Sequence, residues 1–168
     1  NNTGMRENDL SLALGYRRGA WRLETGYSLF AQKLGVMQSA QMGNEQLLQE
    51  RIRLGQPVDF TPFSRHIDYP FQQITHHNVY FKAFFDHEKI GHFAFQSTFQ
   101  QDNRRENRIR RLNHSDIPTV SLHLNSLQNS LVWNKGYQHW KSEAGAQLLI
   151  TDNTNERGTG VVPIIPNY

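Results

Sequence analysis

The residues of this chain best suited to chemistry form a basic run between two apolar segments. They are Arg104, Arg105, Arg108, Arg110 and Arg111, with His114 shortly beyond. Guanidinium groups bind carboxylates and phosphates through paired, charge-assisted hydrogen bonds, so the run predicts a loop that recognises an anion. The alternative is a basic loop that is merely solvated. Ile109 and Leu112 leave this alternative open, because they prevent the arginines from forming a single helical face.

The rest of the chain does not share this basic character, and the net charge is only +3 with histidine neutral. A nucleic-acid surface needs aromatic residues among the basic ones or a known binding fold, so we expect no nucleic-acid partner. The chain has no cysteine, no glycine-rich phosphate loop and no His-Glu-x-x-His or Gly-x-Ser-x-Gly motif. The motifs therefore predict no catalytic group and no cofactor site.

Histidine is the other residue type with obvious chemistry, and the chain has 8 of them. His76 and His77 are adjacent on a predicted strand, so their side chains point to opposite faces and cannot hold one metal ion together. His92 shares the face of His76 but lies far from it along the same hairpin. We therefore predict polar surface roles for these histidines and no metal site.

The elements that position these residues are β-hairpins, and the stretch 71–104 is the clearest of them. Apolar and polar residues alternate on both sides of a polar turn at Asp86–Lys89, which is the pattern of a two-faced hairpin. One face is mostly Phe and Val, and the other is polar. Matching the Phe-rich faces predicts that Phe81 pairs with Phe95, around a turn of three or more residues.

Two further hairpins show the same alternation, around turns predicted at Arg18-Gly19 and Gly136-Tyr137. A slip of one residue would exchange the faces, so apolar pairing across each turn supports the predicted register. The predicted pairs include Tyr16 with Trp21, Leu14 with Leu23, Trp133 with Trp140, and Leu131 with Ser142.

Long connections at 32–70 and 103–118 separate the three hairpins. Within the first, the stretch 43–56 predicts a short helix with Asn44 as N-cap and Gly55 near its end. Short turns thus alternate with long connections, and aromatic residues flank the short turns, as in outer-membrane β-barrels. We therefore predict an all-β fold, an antiparallel up-and-down sheet of about six strands in three hairpins that is part of such a barrel.

The chain begins with Asn1 rather than Met, and it stops after a segment that resembles the approach to another strand. We therefore expect an internal piece of a longer protein. Six strands are too few to close a large barrel, and an open sheet edge is not tolerated in lipid. The remaining strands are expected elsewhere in the complete protein.

Several segments in order resemble the barrel of TonB-dependent outer-membrane receptors of the iron or siderophore type. They are Leu23–Met37, Met42–Arg53, Tyr69–Asp86 and Asn153–Tyr168, the last with GTG followed by IPNY. The resemblance covers nearly the whole chain and depends on the order of several weak motifs. The plug domain and TonB box of the family are not in this sequence.

The resemblance implies a barrel of about 22 strands with a plugged lumen, in the outer membrane of a Gram-negative bacterium. Such a protein takes up a scarce ligand, here a ferric siderophore or another iron complex, with energy supplied through TonB. The basic run would then lie in an outer loop. There it would meet an acidic siderophore complex or the phosphates of lipopolysaccharide.

In this interpretation the polar faces line the lumen and the aromatic faces meet outer-membrane lipid. The expected lumen-facing residues are His76, Asn78, Lys82, His92 and Gln96. The expected lipid-facing residues are Tyr16, Trp21, Val79, Phe81, Phe85, Phe93, Phe95, Phe99, Trp133 and Trp140. The alternative is a soluble all-β ligand-binding domain of the lipocalin type, whose sheet would close within the chain around the same Phe residues.

Overall fold

The structure, a computed structural model, describes residues 2–36, 45–55, 65–107 and 118–156. These residues form one antiparallel sheet and one short helix. The elements are β1 (Met5–Arg18), β2 (Trp21–Gly35), α1 (Glu45–Leu54), β3 (Phe71–His87), β4 (Gly91–Asn107), β5 (Val120–Gly136) and β6 (Lys141–Asn155). Each strand pairs with the next along the chain, so β1 and β6 are the edges and the sheet is not closed. The predicted six strands in three hairpins are confirmed.

The strands are long because apolar and polar residues alternate over most of their length. They range from 14 residues in β1 to 17 residues in β3, β4 and β5. A strand that crosses a membrane needs only about 9–11 residues, and most strands of globular proteins have about 5–6. Each strand can therefore carry zones of different polarity along its length.

All three hairpins keep the predicted faces but not the predicted partners. The observed pairs include Tyr16 with Leu23, Leu14 with Thr25, Phe81 with Ser97, Trp133 with Ala144, and Leu131 with Ala146. Every predicted register is wrong by an even number of residues. Because side chains alternate with a period of two, an even error leaves each strand residue on its predicted face.

The turns account for these errors. The first turn lies at residues 19 and 20, one position later than predicted, with Gly19 at φ 56°. The second turn has the predicted three residues, 88–90, but β3 continues to His87 before it, and Gly91 follows it with φ 99°. The third turn spans 137–140, closed by a 2.8 Å hydrogen bond from Tyr137 N to Trp140 O. Alternation determines which face a residue takes, whereas the turn residues determine its partner.

Directly paired residues share a face, so the five registers define two continuous surfaces of the sheet. The surface that we call the aromatic face carries the even-numbered residues of β1 and β6 and the odd-numbered residues of β2 to β5. The other surface is called the polar face. We use the word row for a set of directly paired residues that crosses the strands. On the aromatic face the apolar side chains begin at the row that contains Phe85 and end near the row that contains His77. This distance is about 27 Å along β3 at roughly 3.4 Å per residue.

Both faces change character toward the end of the sheet that carries the long connections, which we call the loop end; the other end is the turn end. On the aromatic face a largely polar row crosses the sheet there, formed by Asn8, Ala31, Thr75, Asn103, His123 and Thr154. On the polar face the same end carries apolar side chains, those of Phe30, Leu34, Ile74, Leu122 and Leu124. The apolar band of the aromatic face therefore stops part-way along strands that continue beyond it.

Asn2 ties the segment before β3 to the loop end of the sheet. Its Nδ2 donates to Pro70 O at 2.6 Å and to Asp68 O at 2.7 Å, and its Oδ1 accepts from Asp68 N at 3.0 Å. In the same segment Ile67 is 7% exposed and packs against Gly4. One asparagine side chain thus satisfies the backbone N–H and C=O of Asp68 and adds a second hydrogen bond to Pro70 O, which also accepts from Val36 N.

The long connections begin later than predicted, because β2 continues to Gly35 and β4 to Asn107. Helix α1 confirms the predicted helix, and it ends before Gly55, whose φ of 66° is typical of a residue that follows a helix. Asn44, the predicted N-cap, lies outside the described residues. Within the described residues, no helix is long and apolar enough to cross a membrane.

Candidate functional site

The residues expected to face a lumen all lie on the polar face. They are His76, Asn78 and Lys82 of β3, and His92 and Gln96 of β4. Lys82 and Gln96 are directly opposite each other, whereas His76 and His92 lie near opposite ends of the hairpin. The structure thus places these side chains on one surface, spread over the length of one hairpin.

Several charged groups on the polar face are paired with close neighbours. The pairs include His92 Nδ1 with Asp86 Oδ1 at 2.5 Å, His76 Nδ1 with Asp102 Oδ2 at 3.5 Å, and Arg22 Nε with Glu24 Oε1 at 3.5 Å. Arg22 also lies 4.0 Å above the centroid of the Phe84 ring. Exposed pairs of this kind contribute about 0–1 kcal/mol each, so they arrange surface charge more than they stabilise the sheet.

An uncharged polar row crosses the polar face from one edge strand to the other. One residue of each strand contributes to it: Ser11, Ser28, Asn78, Gln100, Ser126 and Thr151. Asn78 Oδ1 is buried and has no hydrogen-bond partner among the described residues. An unpaired buried acceptor costs about 1–3 kcal/mol, so the row offers hydrogen-bonding capacity to a group placed against this face. The sequence pattern could not reveal the row, because its alignment needs all five registers to be correct.

The aromatic face carries a row of large rings at the turn end. Trp21, Phe85, Phe93 and Trp133 occupy directly paired positions on four adjacent strands. The ring centroids of Trp21 and Phe85 are 4.7 Å apart, and those of Phe85 and Phe93 are 6.5 Å apart. Both distances are typical of favourable aromatic pairs. Trp133 Nε1 donates to the carbonyl oxygen of Ile90 at 2.7 Å, so this indole has a polar partner at the turn.

All but one of the residues expected to face lipid lie on the aromatic face. They are Tyr16, Trp21, Val79, Phe81, Phe85, Phe93, Phe95, Phe99 and Trp133. Several of their side chains are well exposed, with Phe81 at 41% and Phe99 at 42%. Soluble monomers rarely expose large contiguous apolar patches, so a face of this size indicates an apolar environment or partner.

Trp140 is the exception, and its predicted strand position opposite Trp133 is wrong. It lies in the third turn, because that turn has four residues rather than two. Its ring stacks on Tyr137, with centroids 3.9 Å apart and an interplanar angle of 10°. The alternation of a strand therefore does not determine which face Trp140 takes.

The basic run is divided by the structure. Arg104 and Arg105 lie in β4 rather than in the predicted loop, because the strand continues to Asn107. They point to opposite faces. Arg104 is on the polar face and bonds to Glu106, with Nε 3.0 Å from Oε1, whereas Arg105 is on the aromatic face. The other members of the predicted anion-binding loop, Arg108, Arg110, Arg111 and His114, lie outside the described residues.

Histidines of the central hairpin take different partners on the two faces. His76 approaches Asp102 on the polar face, whereas the adjacent His77 lies 2.9 Å from the hydroxyl of Tyr27 on the aromatic face. The predicted opposite orientation of His76 and His77 is therefore confirmed. In the described part of the chain, no three His, Asp or Glu side chains come together in a group that could hold a metal ion.

Comparison of the chain with models of protein families, with curated proteins and with solved structures found no match. The resemblance to TonB-dependent receptors thus rests on the motifs of the sequence, and the two-faced sheet is a separate observation.

Proposed function

We propose that the chain forms part of the wall of an outer-membrane β-barrel of the TonB-dependent receptor type, with about 22 strands in the complete protein. The observation that carries this proposal is the division of an open sheet into an exposed aromatic face and a polar face. Lipid can cover the first face, and a water-filled or plugged lumen can receive the second. Each face of the all-β sheet would then lie in a matching environment, with lipid on the aromatic face and the lumen on the polar face.

The height of the aromatic band supports this orientation. The band extends for about 27 Å along β3, and strands of such barrels are tilted by about 40° from the membrane normal. The upright height is then about 21 Å, close to the apolar belt of roughly 25 Å in outer-membrane barrels. The ring row at the turn end also fits the aromatic girdle at the membrane boundary, with the short turns in the periplasm.

We propose that the complete receptor takes up a scarce anionic ligand, a ferric siderophore or a similar iron complex, with energy supplied through TonB. The polar face would line the lumen beside a plug, and His76, Asn78, Lys82, His92 and Gln96 would belong to that lining. Arg108, Arg110 and Arg111, with His114, would recognise the ligand from an outer loop. The protein would act as a transporter rather than an enzyme.

The soluble lipocalin-type alternative requires the sheet to close around the Phe side chains. Within the described residues β1 and β6 are not paired, and Phe81 is 41% exposed. Both observations favour the receptor proposal, because a lipocalin-type interior would exclude these rings from solvent.

The orientation of the sheet can be tested through the tryptophans, since all 3 lie near the turn end. The complete protein, with every tryptophan other than Trp21 and Trp133 replaced by phenylalanine, would be folded into vesicles whose lipids carry bromine atoms at different depths. We expect the strongest fluorescence quenching of Trp21 and Trp133 by lipids brominated near the headgroup, and weaker quenching by lipids brominated at the bilayer centre. Emission that is insensitive to every brominated lipid would contradict a membrane location.

Transport is tested separately in cells that produce the complete protein. We expect uptake of an iron-loaded anionic siderophore that is lost when TonB is deleted. Replacing Arg108, Arg110 and Arg111 by Ala should reduce this uptake and leave uptake of a neutral complex unchanged. Unchanged uptake of the anionic complex would favour the solvated-loop alternative for the basic run.

A further inference from the structure

A row of basic residues crosses the aromatic face just beyond the end of its apolar band. Arg6 of β1 is directly opposite Lys33 of β2, Lys33 is opposite Gln73 of β3, and Gln73 is opposite Arg105 of β4. Neighbouring strands are about 4.8 Å apart, so Arg6 and Arg105 lie roughly 14 Å from each other. We call these residues the cationic row. Their alignment depends on three registers and was not evident from the sequence pattern.

Neither arginine of the cationic row is directly opposite an acidic residue. Within the described residues neither Arg6 nor Arg105 forms an ion pair. On the aromatic face, the acidic residues nearest to the row are at the far edge of the sheet, Asp152 of β6 and Glu156. The Glu156 N–H donates to Ser121 O at 3.0 Å, and Glu156 lies two strand spacings, about 10 Å, from Arg105. In the segment before β3, Asp68 Oδ1 accepts from the backbone N–H of Tyr69 at 2.8 Å. Within the described residues the positive charges of Arg6 and Arg105 are therefore not balanced by an ion pair.

The arrangement is unfavourable without an anion. Like charges that face each other directly on adjacent strands are destabilising, and Arg6 and Lys33 face each other in this way. Lys33 is also fixed in place, because its Nζ donates to Ile67 O at 3.2 Å and lies 4.0 Å above the Phe71 ring. Exposed Arg6 and Arg105 on either side are then free to turn toward a shared anionic layer.

The position of the row identifies the source of the anion. Along β3, Gln73 lies about 40 Å from Phe85 at roughly 3.4 Å per residue, which is an upright height of about 31 Å for strands tilted by about 40°. The hydrocarbon core of a bilayer is about 30 Å thick. If the aromatic row marks one membrane boundary, the cationic row lies at the headgroups of the opposite leaflet. A soluble ligand on its way to the lumen would meet the polar face instead.

We propose that the cationic row binds the phosphate groups of lipid headgroups in the leaflet at the loop end, with Arg6 and Arg105 as the principal contacts. This inference rests on the proposed membrane function. Guanidinium groups suit the role because they donate two parallel hydrogen bonds to a phosphate. Gln73, between Lys33 and Arg105, can donate a further hydrogen bond to the same layer.

The neighbouring residue Arg104 supplies a matched control. It carries the same charge and lies next to Arg105 in sequence, but it is on the polar face and bonded to Glu106. Arg17 relates to Arg6 in a similar way, since both are in β1 but on opposite faces. The double variant Arg6→Gln/Arg105→Gln can therefore be compared with Arg17→Gln/Arg104→Gln, which changes the net charge equally.

The experiment reconstitutes the complete protein into vesicles that contain either a phosphorylated glycolipid or the same glycolipid after enzymatic dephosphorylation. Lipid retained after detergent extraction is measured by mass spectrometry. We expect about a tenfold or greater preference of the native protein for the phosphorylated form. The Arg6/Arg105 variant should lose most of this preference, whereas the Arg17/Arg104 variant should keep it.

Three outcomes would overturn the inference. They are equal retention of the two glycolipids by the native protein, equal loss of preference in both double variants, and displacement of the lipid by millimolar inorganic phosphate, which would indicate a site for free anions. Each of these outcomes leaves the protein inserted in the vesicles. A protein that enters no vesicle of either composition would instead contradict the proposed membrane function.

Discussion

Gly26 and Tyr80 show how a single residue shapes the polar face. They are directly paired, and a Cβ atom added to Gly26 would lie 2.5 Å from Cε1 of the Tyr80 ring. The ring therefore lies across the neighbouring strand and covers the glycine. This arrangement compensates for a glycine in a strand, which otherwise lacks a side chain to pack. The same contact prevents the Tyr80 ring from rotating freely over the polar face.

We predict that Gly26→Ala destabilises the folded protein by about 1–3 kcal/mol, because the ring must leave its position. Gly15→Ala is the control on the same face, since its Cβ would meet only Leu23 O at 3.9 Å. That change should be neutral or slightly stabilising. Urea unfolding of both variants in the same vesicles measures the difference. Equal midpoints for the two variants would contradict the packing that we describe.

Gly19 and Gly91 both have positive φ, but their surroundings differ. An added Cβ at Gly19 would meet nothing within 4 Å, whereas at Gly91 it would lie 2.4 Å from Asn134 O, a backbone atom of β5. We predict that Gly19→Ala costs about 1–2 kcal/mol for its backbone conformation alone. Gly91→Ala should cost more, because the clash with a neighbouring strand adds to the strain. Thermal unfolding of the two variants should show the larger decrease for Gly91→Ala, and a larger decrease for Gly19→Ala would be inconsistent with this structure.

Strand β4 allows the two faces to be compared at adjacent positions. Ser97 lies on the aromatic face in the middle of its apolar band, and Thr98 lies on the polar face. Both residues carry small hydroxyl side chains, so a change to lysine alters size and charge similarly at the two sites. The expected difference comes from the surroundings of each face.

If the aromatic face meets lipid, as we propose, Ser97→Lys should destabilise the protein by about 2–4 kcal/mol, as a cation facing lipid near the bilayer midplane does. Thr98→Lys should change stability by less than about 1 kcal/mol, because the proposed function places this side chain toward a polar lumen. The measurement is the denaturant midpoint of each variant in vesicles of one lipid composition. A smaller effect at Ser97 than at Thr98 would mean that the lipid-facing and lumenal faces have been exchanged.

The hairpins also show what a sequence can and cannot predict about such a sheet. Alternation predicted the number of strands and the face of residues such as His76 and Phe95, because one buried or lipid-covered face requires a period of two. It could not predict that Phe81 pairs with Ser97, since a shift of two residues preserves every face. For a related reason, Arg104 and Arg105 were wrongly predicted to lie in the loop. β4 remains paired through Arg104 and Arg105 although its alternation of polar and apolar residues has already ended.

The rows across the sheet are a property of the whole molecule rather than of any strand. The uncharged row through Asn78 and the cationic row through Arg105 appear only when several registers are combined. The charges are also distributed unevenly between the faces. Strand positions on the aromatic face carry Arg6, Arg18, Lys33, Arg105 and Lys135, with Asp152 as the acidic residue. Basic residues thus border the apolar band at both ends, an arrangement that fits the proposed location between layers of anionic lipid headgroups.

Whether the sheet closes on itself is the question that separates a large barrel from a small soluble one. These 168 residues include no cysteine, so cysteines introduced here can answer it once any cysteine elsewhere in the complete protein is replaced by serine. Leu12, Tyr27 and Ile150 lie in one row of the aromatic face, on β1, β2 and β6. Leu12 and Tyr27 are directly paired, whereas Leu12 and Ile150 are five strand spacings apart, about 24 Å in a flat sheet.

We predict that a short bifunctional thiol reagent links the cysteines of Leu12→Cys/Tyr27→Cys in the folded complete protein. The reagent should not link those of Leu12→Cys/Ile150→Cys, because in the proposed receptor other strands of a large barrel separate β1 from β6. Gel mobility before and after treatment measures the linkage, and the first variant shows that the reagent reaches this face. Linkage in both variants would mean that the six strands close on themselves. The Phe side chains would then line a small interior, and the proposed receptor would have to be abandoned for the lipocalin-type alternative.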